Sequence, residues 1–239
     1  MSKIILKKVK NIRNFDHISG INETGIETQK YIRSSKLYKL SRKDKQILYG
    51  KYNVTTIIDL RTDTEIKEKP DSYPDNVDYH HISLINDNTV GITHEKGVNL
   101  LTDIPYMPDL YRRLVSDEKS VNGLKEVFKL IKEQENKEGA ILWHCSEGKD
   151  RCGIVSALFL LFNGISKEEV MRDYLISDNV SKIKGFSYYL LVKKLLKDKK
   201  VAMKIFDAMR AKEEYLDAAL DEIDSKYGCL ENFKRIILG

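Results

Sequence analysis

Two largely apolar runs flank a short polar stretch, and that juxtaposition restricts what this chain can become. Gly139-Ala-Ile-Leu-Trp-His144 reads as a short buried strand, and Gly153 to Phe162 reads as a helix that is apolar on nearly every face. Between them lies Cys145-Ser146-Glu147-Gly148-Lys149-Asp150-Arg151-Cys152. A buried strand that turns directly into a buried helix belongs in a layered α/β domain. The connecting loop must then surface at the carboxyl edge of the sheet.

The rest of the chain repeats the pattern. Val54 to Leu60 (VTTIIDL) is β-branched and continuous, as a strand covered on both faces requires. Before it, Ser41 can cap a helix packed through Ile47 and Leu48 and ended at Gly50. Leu124, Val127, Phe128 and Ile131 share one face of a helix over Val121 to Glu133. Ser166 and Glu169 form a capping box, and Tyr215, Leu216, Ala219, Leu220 and Ile223 make a last helical stripe before Gly228. Strands and helices alternate early and helices alone follow residue 152. The predicted class is α/β, with a mainly parallel central sheet flanked by helices and a helical C-terminal part. With no repeat and no long linker, residues 1–239 read as one domain. Asp71 to Leu100 is polar and turn-rich, and Lys182 to Lys204 holds eight lysines and one aspartate.

Composition excludes several classes. Hydrophobic residues at 41% and charged residues at 32% describe a globular chain, and no apolar stretch approaches bilayer length. The amino terminus lacks a signal-peptide core, and three cysteines cannot build a disulfide framework, so the expected compartment is the cytoplasm. A net charge of +5 without a nucleic-acid motif argues against nucleic-acid binding. His80-His81 and His94 lack metal-ligand spacing, so neither a metal nor another cofactor is expected.

The loop carries the chemistry. At a helix amino terminus, successive backbone N–H groups and the helix dipole favour an anion, and Gly148 lets the turn close. The product is a cradle for a tetrahedral dianion. The same field draws the Cys145 thiol below its ordinary pKa of about 8.5 and makes it a nucleophile facing the phosphate. Arg151 offers a planar fork for two phosphate oxygens. Sulfur-transfer enzymes and arsenate reductases share a loop of this kind but seldom combine all these features. A buried free cysteine beside a surface Lys-Asp-Arg cluster is the plainest alternative.

His144 to Arg151 resembles the His-Cys-x-x-Gly-Lys-Asp-Arg signature of the bacterial cysteine-dependent protein tyrosine phosphatases. Asn11-Ile-Arg-Asn-Phe15, Tyr31-Ile-Arg-Ser-Ser35, Ile58-Asp-Leu-Arg-Thr62, Asp173-Tyr-Leu-Ile-Ser177 and Tyr215 to Leu220 resemble further segments of that family. The resemblance implies a metal-independent phosphomonoesterase acting on phosphotyrosine, in some members also on phosphoserine/threonine or phosphoinositides. By position, Cys145 is then the nucleophile and Arg151 the phosphate clamp, while the amides of Ser146, Glu147, Gly148, Lys149, Asp150 and Arg151 bind the equatorial oxygens. Trp143 is the single tryptophan, so the animal-type Trp-Pro-Asp acid loop is absent. Asp150 and Asp59 compete for general acid, with Asp150 favoured; either also suits an ion pair that orients Arg151 or Lys149.

Lys149 is expected to add charge to the pocket, Glu147 to face outward, and His144 to hydrogen-bond the loop backbone. Cys152 stands where the family leads one to expect Ser or Thr, and it can serve as filler or trap an oxidised Cys145 as a disulfide. Residues 180–210 suit a helical lid like that of related phosphatases, or a basic surface in peripheral contact with anionic lipid. A phosphorylated protein or a phosphoinositide is the expected substrate, with no oligomeric state implied. The competing non-enzymatic reading is a phosphate-binding module with decayed catalysis.

Overall fold

The structure, a computed structural model, describes residues 4–86 and 106–239. Four parallel strands form one sheet: β1 (Tyr31–Ser35), β2 (Val54–Asp59), β3 (Asp78–His81) and β4 (Ala140–Cys145), in the order β1-β4-β2-β3. The α/β class expected from the alternation is what the chain adopts. The β4 strand runs between β1 and β2, which explains why its residues are buried without exception. Ser35 pairs with Cys145 and Asp59 with His144, so the carboxyl ends of three strands finish together at one edge.

The pleat sorts β4 into two cores. Ile141 and Trp143 join Tyr31 and Ile58 in the larger core, whereas Ala140 and Leu142 join Ile32, Val54 and Ile57 in the smaller one. The larger core lies under α3 (Met107–Ser116), α4 (Glu118–Gln134), α5 (Asp150–Phe162), α8 (Glu213–Tyr227) and α9 (Leu230–Leu238). Phe15, Tyr31, Trp143 and Phe159 stack at its centre with ring centroids 4.8–5.8 Å apart for the closest contacts. Trp143 Nε1 donates to Ser156 Oγ at 3.0 Å, tying β4 to α5 across the loop that joins them.

Several local expectations need amendment. Ser41 does cap α1 (Arg42–Lys45), with Asp44 completing a capping box. The helical turns do not end at Gly50, however; a wider π-type turn carries them to Lys51, and Asn53 in the left-handed region makes the reversal. At Ser166 the side chain accepts from the Glu169 amide, but the Glu169 carboxylate turns to Arg172 instead of returning to the cap. The strands β1 and β3 were not expected as strands, and α2 (Asp63–Glu68) is a short helix beyond the end of β2. Of the polar stretch 71–100, residues 71–86 include β3; the remainder, with His94, lies outside the described residues.

Two helices continue past the core. The 30-residue α6 (Lys167–Leu196) packs first against α5, then pairs with α7 (Lys199–Met209) in a hairpin with its own small core of Val192, Ala202 and Ile205. Among the described residues no helix is long and apolar enough to cross a membrane.

Ser156 is fully buried and is the hydrogen-bond acceptor of the Trp143 indole N–H. Ser156→Ala is therefore expected to destabilise the fold by about 1–3 kcal/mol, the cost of orphaning a buried donor. Urea unfolding followed by the fluorescence of the single tryptophan measures it.

Candidate active site

The loop between β4 and α5 is shaped from outside. Lys36 Nζ donates to the Ser146 carbonyl at 3.1 Å; Asn11 Nδ2 reaches the Glu147 and Gly148 carbonyls at 3.4 and 2.7 Å. Arg33 Nη2 donates to the Gly148 and Lys149 carbonyls at 3.1 and 3.5 Å. In a trans peptide the N–H points opposite to the C=O. Fixing the carbonyls of residues 146–149 outward therefore turns the amides of residues 147–150 away from Asn11 and Arg33. Gly148 is obligatory in this arrangement: its φ is +67°, and a Cβ there would lie 2.6 Å from the Ser34 backbone.

The anchors are themselves fixed. Arg33 is fully buried and pairs with Asp173 at 2.8 Å; Arg13 pairs with the same carboxylate at 2.7 Å, and His17 lies 3.0 Å from it. Asn11 donates also to Ser177 Oγ at 3.1 Å and accepts from Arg13. Burial alone would raise the Asp173 pKa, but Arg13 and Arg33 hold it far below the usual carboxylate range.

On the other side, Glu65 of α2 grips Arg151. Its oxygens lie 2.5 Å from Nη1 and 2.8 Å from Nη2, and it also accepts the Ser146 hydroxyl. Thr62 and Glu65 form a reciprocal capping box at the start of α2, which fixes the carboxylate. Burial works to raise the Glu65 pKa, yet Arg151 brings it down to about 2. Arg151 Nη1 donates further to the Leu60 carbonyl at 3.2 Å. A guanidinium has five N–H donors. Among the described residues the Nε hydrogen and one Nη2 hydrogen remain unclaimed, and they make a side-on pair suited to two oxygens of a phosphate.

Cys145 ends β4 at 2% exposure, on the same pleat face as Trp143. Burial pushes its thiol up, but the Cys152 thiol, the Arg151 charge and the Cys152 amide outweigh that and bring it to about 5. Cys152 is pushed well above its ordinary value, first by burial and then by Cys145, so it keeps its proton, and its Sγ lies 3.6 Å from the Ser34 carbonyl and 3.9 Å from the Trp143 carbonyl. The neighbouring thiol favours the thiolate form of Cys145. These two buried thiols are the pair that a reversible disulfide would join.

The two candidate acids differ sharply in surroundings. Asp150, the first residue of α5, has a quarter of its side chain exposed; its Oδ1 accepts from Tyr111 at 2.7 Å and lies 3.3 Å from Lys149 Nζ. Asp59 is fully buried and accepts from Arg61 at 2.6 Å and Tyr79 at 2.8 Å. Despite burial, His144 and Arg61 hold Asp59 well below the ordinary carboxylate range.

His144 differs from expectation. Its Nε2 lies 2.8 Å from Asp71 and its Nδ1 3.8 Å from Asp59, so it faces carboxylates rather than the loop backbone. Burial opposes its protonation, but the two aspartates raise its pKa. Asp59, Asp71 and His144 bring potential metal-ligand atoms within 4.8 Å of one another, and Arg61 sits on both carboxylates at 2.6 and 2.8 Å. The guanidinium already supplies positive charge there.

Lys149 also departs from expectation. Its ammonium caps the C-terminal end of α7, donating to the Ala208 and Arg210 carbonyls at 2.9 and 2.8 Å. Glu147 faces outward as expected, 40% exposed and 3.8 Å from Lys36. Asn11, Arg13, Arg33, Glu65, Tyr111 and Asp173 were not assigned to the site from the sequence. The Thr62-x-x-Glu65 capping box directly after β2 was a legible signal for Glu65.

A buried strand ending in a low-pKa cysteine, a loop with its carbonyls turned outward and a helix-borne arginine define the class of cysteine-dependent phosphatase domains. The chain belongs to the tyrosine phosphatase family, whose family model matches residues 4–239. It is 32% identical to a tyrosine-protein phosphatase of Nostoc commune over 157 residues, covering 64% of this chain and 50% of that protein. It is 26% identical to the triple specificity protein phosphatase PtpB of Mycobacterium tuberculosis over 246 residues, covering 89% of this chain and 87% of that protein. The chain thus spans half the length of the Nostoc relative and most of the mycobacterial one.

Two outcomes follow from the charges. Glu65→Gln is expected to cost about 3–5 kcal/mol at neutral pH, because it leaves Arg151 buried without its partner. Since folding lowers the Glu65 pKa from 4.5 to about 2, this contribution is complete above pH 4.5 and fades as pH falls toward 2. Denaturation of both proteins across that range measures the convergence. Separately, iodoacetamide labelling of Cys145, followed by peptide mass spectrometry, is expected to titrate with a midpoint near 5 and to move upward in Cys152→Ala.

Proposed function

We propose that the protein is a metal-independent phosphomonoester hydrolase, a protein tyrosine or dual-specificity phosphatase working through a cysteinyl-phosphate. The observation that carries this reading is a thiol held at about 5 at the foot of a loop whose carbonyls are all turned outward. The Cys145 thiolate attacks phosphorus; the S–P bond forms as the P–O bond to the substrate breaks. Arg151 grips two oxygens through Nε and Nη2, and the loop amides stabilise charge that grows on the equatorial oxygens. Asp150 gives its proton to the departing oxygen. It then takes a proton from the water that attacks phosphorus, releasing inorganic phosphate and the thiolate. Asp59 is assigned to the buried pairing with Arg61, His144 and Tyr79 and not to proton transfer.

The family and the names of both relatives support a phosphorylated substrate. A specific observation favours lipid as a second substrate class. Phe186, Leu190, Leu191, Leu195 and Met203 are exposed on the α6–α7 hairpin, alongside exposed Lys193, Lys194, Lys197, Lys199, Lys200 and Lys204. Exposed apolar side chains interspersed with lysines fit an anionic bilayer surface. The Lys149 cap holds the base of this hairpin to the loop, which supports the reading of 180–210 as a lid within a single domain. Two free thiols in contact at the site work in a reducing compartment, which supports a cytoplasmic setting.

Hydrolysis of a phosphotyrosine peptide and of a phosphoinositide in vesicles, both in EDTA, tests the proposal. Wild type is expected to turn over the peptide, Cys145→Ser to be inactive, and Asp150→Asn to lose about 10²–10⁴-fold. Activity that vanishes in EDTA, or that survives Cys145→Ser, refutes it. Turnover of vesicle lipid that rises with phosphatidylserine content supports the lipid reading.

A further inference from the structure

Tyr111 lies on α3, fully buried, with its ring edge-on to Tyr174 at a centroid distance of 6.0 Å and 5.7 Å from the ring of Tyr215. Packing alone would be met by phenylalanine. The hydroxyl, however, sits 2.7 Å from Asp150 Oδ1 and 2.7 Å from the Tyr174 hydroxyl. Burial and the Asp150 charge push Tyr111 well above its ordinary pKa, so it stays a protonated donor. One hydroxyl has one hydrogen. With that hydrogen on Asp150 Oδ1, the Tyr174 hydroxyl donates to the Tyr111 oxygen, and a directed chain runs from Tyr174 through Tyr111 to the carboxylate.

The chain leaves the two carboxylate oxygens unequal. Oδ1 is claimed by Tyr111 and approached by Lys149 Nζ at 3.3 Å, whereas Oδ2 has no hydrogen bond among the described residues and the side chain remains a quarter exposed. We propose that Tyr111 is the positioning residue for proton transfer: it occupies Oδ1 and so makes Oδ2 of Asp150 the oxygen that exchanges protons with substrate. In the first step the Oδ2–H bond breaks as the leaving oxygen gains its hydrogen. In the second, a water O–H bond breaks as Oδ2–H re-forms. Oδ1 keeps its hydrogen bond from Tyr111 throughout. This inference rests on the assignment of Asp150 as acid.

Leaving-group dependence tests it. The ratio kcat/KM reports the first step, so phenyl phosphate, a poor leaving group, is compared with 4-nitrophenyl phosphate, which needs little protonation. Tyr111→Phe is expected to lower kcat/KM for phenyl phosphate about tenfold and for 4-nitrophenyl phosphate less than twofold, within the range a positioned acid supplies. Tyr215→Phe removes a neighbouring hydroxyl that bonds the Asp207 carbonyl, and it should change neither readout. Tyr174→Phe leaves the Tyr111–Asp150 bond in place; it should give the same losses at reduced size, and it serves instead if Tyr111→Phe does not fold. If Tyr111→Phe only lowers the melting temperature, or if Tyr215→Phe reproduces its effects, the tyrosine is packing alone and the proposal falls. If Asp150→Asn fails to steepen the leaving-group dependence, the acid assignment falls and takes the proposal with it. Asp150→Asn steepening it while Tyr111→Phe does not removes only the role of Tyr111.

Discussion

The hydrogen bonds that pull the carbonyls of residues 146–149 outward underlie everything the loop can do. A loop at a helix amino terminus has amides to offer, but nothing in that position alone aims them at one point. Asn11, Arg33 and Lys36 supply the aim by engaging the opposite end of each peptide. The anchors come from the amino-terminal segment, β1 and the residue that follows it, while the loop joins β4 to α5. The proposed anion site therefore forms only after strands distant in sequence have paired, and Ser35 opposite Cys145 is the register that brings them together.

Three groups of buried charge surround this loop, and each keeps its charges paired. Arg13 and Arg33 share Asp173; Arg61 lies between Asp59 and Asp71 with His144 alongside; Arg151 is held by Glu65. Buried pairs of this kind contribute little net stability, because desolvation offsets most of the attraction. Their value here is geometric. Glu65 claims the end-on face of the Arg151 guanidinium and leaves its side-on face available. Without such an acceptor the arginine would have several poses, and without the Arg33–Asp173 pair the carbonyls of Gly148 and Lys149 would lose a rigid donor.

The sequence made the central unit legible because its physics is local. An apolar strand, a turn that needs glycine and an apolar helix announce themselves in consecutive residues, and Gly148 and Cys145 occupy the positions that reading implies. The supporting residues were hidden for the opposite reason. Arg33 sits in a five-residue strand that reads as a mixture of polar and apolar residues, and only its pairing with β4 shows that it is buried. Asp173 lies on α6 and resembles any charged residue of an amphipathic helix until Arg13 and Arg33 close on it. Lys149 and His144 were legible as members of the loop but not in direction. Where a side chain turns depends on what the rest of the fold places beside it: the open carbonyls at the end of α7 in one case, Asp71 in the other.

Cys145 and His144 are adjacent in the chain and yet belong to opposite sides of the sheet. Cys145 joins the aromatic core with Trp143, and His144 joins the aspartates beneath. A strand counts in twos, so its alternation is a matter of odd and even. Slipping β4 by a single residue would exchange the two: an imidazole would stand at the proposed phosphate site and the sulfur would lie among carboxylates, where a thiolate is disfavoured. Every contact that fixes the strand's register, down to the indole of Trp143 against Ser156, is in that sense a parity check on the chemistry at its end.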